Sequence, residues 1–161
     1  MDYTVHIDDF DTDHWRRCAA EFMDYSLYQT PAYQQVRACQ DNQILSRFII
    51  QSSNGGPMLM GQIRIKKITP LGLRIGYIQW GPLCRKREGI IGDADTLLML
   101  LKQAYMPDKV NVLRIAPNIF EGESQELAEQ IRAAGFEQPA HSRPYRTMLF
   151  PLDTDEEGIR K

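Results

Sequence analysis

Arg74 to Pro82 reads RIGYIQWGP, an aromatic-rich run with the make-up of a central strand. A strand covered on both faces needs β-branched and aromatic residues. Ile75 and Tyr77 supply them on one side, Ile78 and Trp80 on the other. Pro82 has no N–H with which to continue a ladder, so the strand is expected to end on Gly81-Pro82. Three cations, Arg85-Lys86-Arg87, stand directly behind it. That lip is where an anionic ligand is expected.

Upstream, Met58 to Lys67 alternates, with Ile63 and Ile65 on one side and Gln62, Arg64 and Lys66 on the other. This is the pattern of a strand with one buried and one solvated face. Thr69-Pro70-Leu71-Gly72 turns it into the RIGYIQWGP strand. Gln43 to Gln51 (QILSRFIIQ) precedes it across Ser53-Asn54-Gly55-Gly56, and Asn-Gly supplies the positive φ of a tight hairpin. Three strands therefore form an antiparallel meander. Before them, Tyr3 to Ile7 alternates weakly as a first strand. Asp11 or Thr12 caps a helix through about Met23, with Trp15, Ala19, Phe22 and Met23 on its inner stripe, and Thr30-Pro31 opens a second helix to about Cys39.

Downstream, Gly92-Asp93 begins a helix with Leu97, Leu98, Leu100, Leu101 and Tyr105 on its apolar face, and its acidic first turn suits the positive helix end. Val110 to Ile115 is a fifth strand. Gly122 to Ala134 is a helix closed by Gly135 and Phe136. Tyr145 to Leu152 is a last strand, and Asp153 to Lys161 reads as the start of another helix. The expectation is one domain over residues 1–152, with 153–161 leading towards a further unit. The class is α/β (α+β), with a mixed, mainly antiparallel central sheet and helices on both faces.

The chain has 161 residues and a formal charge of −2. That charge is segregated: between Asn42 and Arg87 there are eight basic residues and no acid, leaving 11 basic against 21 acidic residues elsewhere. One positive third suits an anionic ligand in a cleft and argues against a protein that coats nucleic acid all round. Cations also blunt exposed sheet edges, and that alternative stays open. The three cysteines, Cys18, Cys39 and Cys84, form no paired spacing, and His6, His14 and His141 share no metal-ligand spacing, so neither a disulfide framework nor a metal is implied. The acidic N-terminus is unlike a signal peptide, and no apolar run approaches a membrane span. A cytoplasmic protein is expected.

The element order resembles the N-acyltransferase fold known as GNAT, in which the fourth strand splays from the fifth and the acyl carrier enters the gap. QTPAYQQVR (Gln29 to Arg37), YIQWGPL (Tyr77 to Leu83), AAGF (Ala133 to Phe136) and RTMLFPLDTDEEGIRK (Arg146 to Lys161) resemble the FemABX peptidyltransferases. Those enzymes resemble two GNAT-like units in tandem and move an amino acid from aminoacyl-tRNA to the stem peptide of a cell-wall peptidoglycan precursor. The resemblance implies that Arg37, which closes the second helix, serves the precursor's diphosphate. An acidic residue that often follows the Gly-Pro motif is replaced here by Arg85, which removes a catalytic base from this loop and strengthens its reading as a charged lip. The candidate substrate-binding set is Arg37, Arg64, Lys66, Tyr77, Trp80 and Arg85.

On this reading no cofactor is permanently bound. Aminoacyl-tRNA is the co-substrate, with tRNA held through a second unit, and the partner is a diphosphate-bearing small molecule or lipid-linked precursor. A free-standing GNAT acyltransferase using acyl-CoA is the alternative, and a noncatalytic GNAT-like binding domain a third. Acyl-CoA chemistry needs a glycine-rich loop whose N–H groups hold a pyrophosphate. The nearest stretch, Lys86-Arg87-Glu88-Gly89-Ile90-Ile91, fails that pattern at both ends. No catalytic residue is assigned: Ser26, Ser46 and Ser52 have no partnered histidine, and the 161 residues alone are expected to be inactive. Arg37 and Arg85 are expected at one end of a single groove.

Overall fold

A computed structural model describes residues 2–87, 89–106, 108–118 and 125–139. Its elements run β1 (Tyr3–Ile7), α1 (Thr12–Ala19), α2 (Pro31–Gln40), β2 (Ile44–Ser52), β3 (Pro57–Ile68), β4 (Leu73–Gln79), β5 (Arg85–Lys86), β6 (Gly89–Ile90), α3 (Ala94–Tyr105), β7 (Val112–Ala116) and α4 (Gln125–Ala133). The strand expected at 145–152 and the helix start at 153–161 lie outside the described residues. The main sheet has the order β1-β2-β3-β4-β7, antiparallel except for the β4–β7 pair, and β5–β6 is a separate small hairpin.

The meander forms as its turn chemistry requires. Gly55 takes φ +81° and closes the β2–β3 connection, and Gly72 takes φ +62° between β3 and β4. The register places Arg64 opposite Tyr77 and Tyr77 opposite Arg114, so these three stand in one row across β3, β4 and β7.

Both faces of the sheet are covered. On one, α3 buries Leu97, Leu98, Leu101 and Tyr105, and the Tyr105 hydroxyl meets Ser46 Oγ at 2.7 Å while its ring packs edge-on to Phe48. Burying each such side chain stabilises the fold by roughly 1.5–3 kcal/mol. On the other, the C-terminal end of α2 approaches Arg64 through Asp41, and Phe10, just ahead of α1, stacks on Trp15 and beneath the Arg47 guanidinium. A solvated β3 face is therefore corrected. The alternation itself holds, but Gln62 and Arg64 are buried, and only Lys66 of the three reaches solvent.

The first helix is shorter than its apolar stripe suggests. Asp11 caps it by accepting from the His14 N–H at 2.6 Å, but the chain leaves the helix after Ala19 and the Met23 N–H bonds the Arg85 carbonyl at 2.8 Å. Met23 is consequently 62% exposed. A long-range main-chain bond has outcompeted continuation of a helix that carries no further capping signal. The C-terminus of α4 follows expectation: Gly135 takes φ +74°, and the N–H groups of Gly135 and Phe136 bond the carbonyls of Arg132 and Ile131.

Candidate functional site at the end of the fourth strand

β4 ends at Gln79, earlier than its composition suggests, because Trp80 adopts φ +52°. On β3, Arg64 and Met60 are four residues apart. Their partners on the other side are Tyr77 and Leu83, six residues apart. Two extra residues bulge out, and the β3–β4 ladder opens at Gln62 and Gln79.

A side chain from outside the sheet fills this opening. Gln29, fully buried ahead of α2, donates from Nε2 to the Gln79 carbonyl at 2.6 Å and accepts on Oε1 from the Gln62 N–H at 3.0 Å. Its own carbonyl accepts from Gln62 Nε2 at 2.6 Å. The primary amide replaces a strand peptide, so buried main-chain groups that would cost on the order of 1–3 kcal/mol each if unpaired are satisfied. β4 and β7, by contrast, stay paired from Ile75–Val112 to Gln79–Ala116, and Gly81 still donates to the Ala116 carbonyl at 3.0 Å. Over these residues the sheet opens between β3 and β4 and not between the two parallel strands.

Two sets of side chains flank the opening. The first is aromatic. Trp80 stacks on Tyr28 with centroids 5.3 Å apart, and Tyr28 meets Tyr33 of α2 edge-on at 5.2 Å. The left-handed kink thus takes Trp80 out of the strict alternation with Ile78 and against the residues leading into α2. The second set is basic. Arg64 is 5% exposed, reaches Gln79 Oε1 at 2.8 Å and Asp41 at 3.4 Å, and lies 5.7 Å from the Tyr77 ring centroid. Arg37 meets the same Asp41 oxygen at 3.3 Å. Arg114 lies on the other side of the Tyr77 ring at 5.8 Å. Tyr33 and Arg37 are one turn apart on α2, which places the aromatic and basic sets in sequence along one helix edge. Lys66 stands two residues beyond Arg64 on the same side of β3 and is exposed.

Arg85 belongs to a different neighbourhood. Its N–H and that of Cys84 donate to the two carboxylate oxygens of Asp24 at 3.3 and 3.0 Å. Arg85 follows Leu83, which pairs with Met60, and at roughly 3.3 Å per residue Met60 is on the order of 13 Å from Arg64 along β3. The bulge thus carries the Arg85 main chain away from Arg64, and Asp24 fixes it there.

Asp24 is 3% exposed. Burial pushes its carboxyl above the usual carboxylate range, against the Cys84 and Arg85 N–H groups, which favour the ionised form. Burial also pushes the Cys84 thiol up to about 12, which makes it a poor nucleophile. At the N-terminus of α3, the Asp93 carboxylate makes no capping bond and accepts instead from the Tyr3 hydroxyl at 2.6 Å, and Asp95 lies in the first turn. That hydrogen bond, with burial and the carboxylate's charge, raises the Tyr3 phenol to about 12. Beyond the ends of β4 and β7, an apolar cavity of about 10 Å³ lies among Pro82, Cys84, Pro117, Leu98 and Leu127. It is barely the volume of one water. A polar hollow of about 420 Å³ lies apart from these residues, beside α1, lined by His6, Asp9, Asp11, His14 and Arg17. Among the described residues no three His, Cys, Asp or Glu side chains gather as metal ligands, and no helix is long and apolar enough to cross a membrane.

Nothing in the sequence marks Asp24 or Arg114, and Gln29, the first residue of QTPAYQQVR, and Gln62, in the β3 alternation, carry no sign there of the bonds they make to each other. Their importance comes from the bulge, which only the paired strands reveal.

With this geometry the chain aligns with solved structures along nearly its whole length. A probable acetyltransferase matches over 94% of this chain and 99% of its own at 11% identity, with a TM-score of 0.53. An aminoglycoside acetyltransferase from an uncultured soil metagenomic sample matches over 94% and 97% at 10% identity, with a TM-score of 0.51. The fold is GNAT-like. A transcriptional regulator from Bacillus halodurans C-125 shares it at 11% identity and a TM-score of 0.53, over 91% of this chain and all of its own. Identities this low speak for the GNAT-like fold alone. No family model matches the sequence, and no curated protein does.

Proposed function

We propose that this chain is an acceptor-holding GNAT-like unit of a Fem-like aminoacyl or peptidyl transferase. The observation that carries the reading is where its own carboxylates sit. A GNAT unit that uses acyl-CoA needs main-chain N–H groups beyond the fourth strand, and the helix that follows, for the pyrophosphate. Here the N–H groups of Cys84 and Arg85 are bonded to Asp24, and the α3 N-terminus carries Asp93 and Asp95. Acidic groups at that helix end oppose a second anion there. The residues described do not fit the CoA pyrophosphate.

What remains for a ligand is the aromatic and basic edge of α2. Tyr33, Tyr28 and Trp80 offer ring faces, while Arg37 and Arg64 offer guanidinium groups suited to bidentate contact with phosphate. Asp41 holds both guanidiniums in place and is the group an incoming diphosphate would exchange with. The chemistry of such a transferase is attack of an amine on an activated ester, in which holding the acceptor is most of the work.

Two calorimetric titrations test this. A UDP-linked muramyl peptide is expected to bind, with affinity that falls as salt rises and falls further in Arg37→Ala. Acetyl-CoA is expected to give no micromolar binding. The reverse pattern would establish the second reading, an acyl-CoA-dependent acyltransferase, which the acetyltransferases of the same fold favour.

A further inference from the structure

One end of the sheet is apolar, uncovered and rimmed by cations. β3 passes into β4 through a single turn at Thr69–Leu71, and the left-handed Gly72 leaves Leu71 pointing outwards, 68% exposed. Leu73 follows at 37%. The register places two more exposed apolar side chains towards this end, on opposite faces of the sheet: Ile44 opens β2 opposite Ile65, and Val112 opens β7 opposite Ile75, which itself faces Lys66. Their exposures are 49% and 45%. These four are half of the exposed large hydrophobic residues among the described residues.

Around them stand Lys66 and Lys67, both exposed, Arg74 across from Lys67, and Lys109 in the turn before β7. Asp108 is the acid beside Lys109. Asp41, at the end of α2, is already engaged by Arg37 and Arg64. An exposed apolar tip with cations behind it on both faces of the sheet is complementary to a lipid surface, where acyl chains take the tip and phosphates meet the cations. An acidic protein partner would satisfy the rim but would leave a protruding leucine tip without a matching pocket. The short turn penetrates only the interface and spans nothing.

We propose that this end of the sheet docks on a bilayer surface bearing anionic phospholipid, with Leu71 and Leu73 entering the headgroup boundary and Lys66, Lys67 and Arg74 meeting the phosphates. This goes beyond the transferase reading and needs no substrate, so it stands or falls separately. The test is co-sedimentation of the full chain with vesicles of phosphatidylglycerol mixed into phosphatidylcholine, against phosphatidylcholine alone. Binding is expected only to the mixed vesicles and is expected to weaken with salt. Lys67→Ala should lower affinity about fivefold. Leu71→Ser combined with Leu73→Ser should lower it about tenfold or more. Both leucines are exposed, so the urea midpoint of the double variant should match the parent. Met99→Ser, which alters an exposed apolar residue of α3, should bind as the parent does. Equal sedimentation with both vesicle types, unchanged binding by the leucine variant, or a concentration-dependent dimer abolished by that variant would overturn the proposal, the last in favour of a second copy of the chain.

Discussion

Gln29 and Gln62 exchange two hydrogen bonds, the Gln62 N–H to Gln29 Oε1 at 3.0 Å and Gln62 Nε2 to the Gln29 carbonyl at 2.6 Å, and both residues are fully buried. With the third bond to the Gln79 carbonyl, this pair spans the place where β3 and β4 part. Gln29→Ala strips the Gln62 N–H and the Gln79 carbonyl of partners and leaves a cavity. A loss of about 2–4 kcal/mol in urea-monitored stability is expected. Gln29→Glu keeps the acceptor and loses the donor, so it should destabilise as well. Unchanged midpoints in both variants would show that the amide does not stand in for the missing ladder.

Gly81 lies against that amide. A Cβ added there would meet Gln29 Nε2 at 3.1 Å, Gln29 Cδ at 3.2 Å and Ile78 Cγ2 at 3.2 Å. Gly81→Ala is expected to cost about 1–3 kcal/mol, since Gln29 cannot retreat without breaking its bonds. Gly92→Ala meets nothing within 4 Å and should change stability by less than about 0.5 kcal/mol. Chemical denaturation of the two variants side by side separates close packing from a general intolerance of alanine.

Asp24 sets a pH dependence. Its folded carboxyl titrates above the unfolded one because it is buried. Between those two values the folded chain binds more protons, so this group's contribution is fully present below the unfolded pKa and is lost as pH rises through the folded one. The stability of the parent relative to Asp24→Asn should therefore increase as pH falls from neutral into the carboxylate range. A flat difference across that range would mean that Asp24 has the same proton affinity in both states.

Tyr3 and Asp93 form a second titrating pair. The Tyr3 phenol, held at about 12 by its bond to Asp93, should return towards 10 in Asp93→Asn. Following the Tyr3 ring resonances through alkaline pH reads this directly. An identical midpoint in parent and variant would remove Asp93 as the cause. The same variant takes one negative charge from the α3 N-terminus, so acetyl-CoA titration of it also reports on the charge argument made for that helix.

Much of the architecture was legible in local residue patterns. Alternation in β3, Gly55 and Gly72 at turns, Thr30-Pro31 at the start of α2 and Gly135 after α4 each act over a few residues, through backbone sterics and the satisfaction of helix-end groups. Local chemistry suffices for such features, and it also separated the basic third of the chain from the acidic remainder. The Arg64, Tyr77 and Trp80 candidates came from the same reading, and Arg37 from the family resemblance. Their partners did not. Asp41 joins Arg37 to Arg64, Arg114 reaches Tyr77 from β7, and Asp24 takes the N–H groups of residues some 60 positions away. Nothing local to Asp24 or Gln29 announces a buried role, because a polar side chain is buried only where distant main-chain groups lack partners. Composition alone could place a strand at Arg74 to Pro82. The two-residue bulge that ends it early, the glutamine that fills the break and the displacement of the Arg85 main chain from Arg64 were decided by strand register, a property of the assembled sheet.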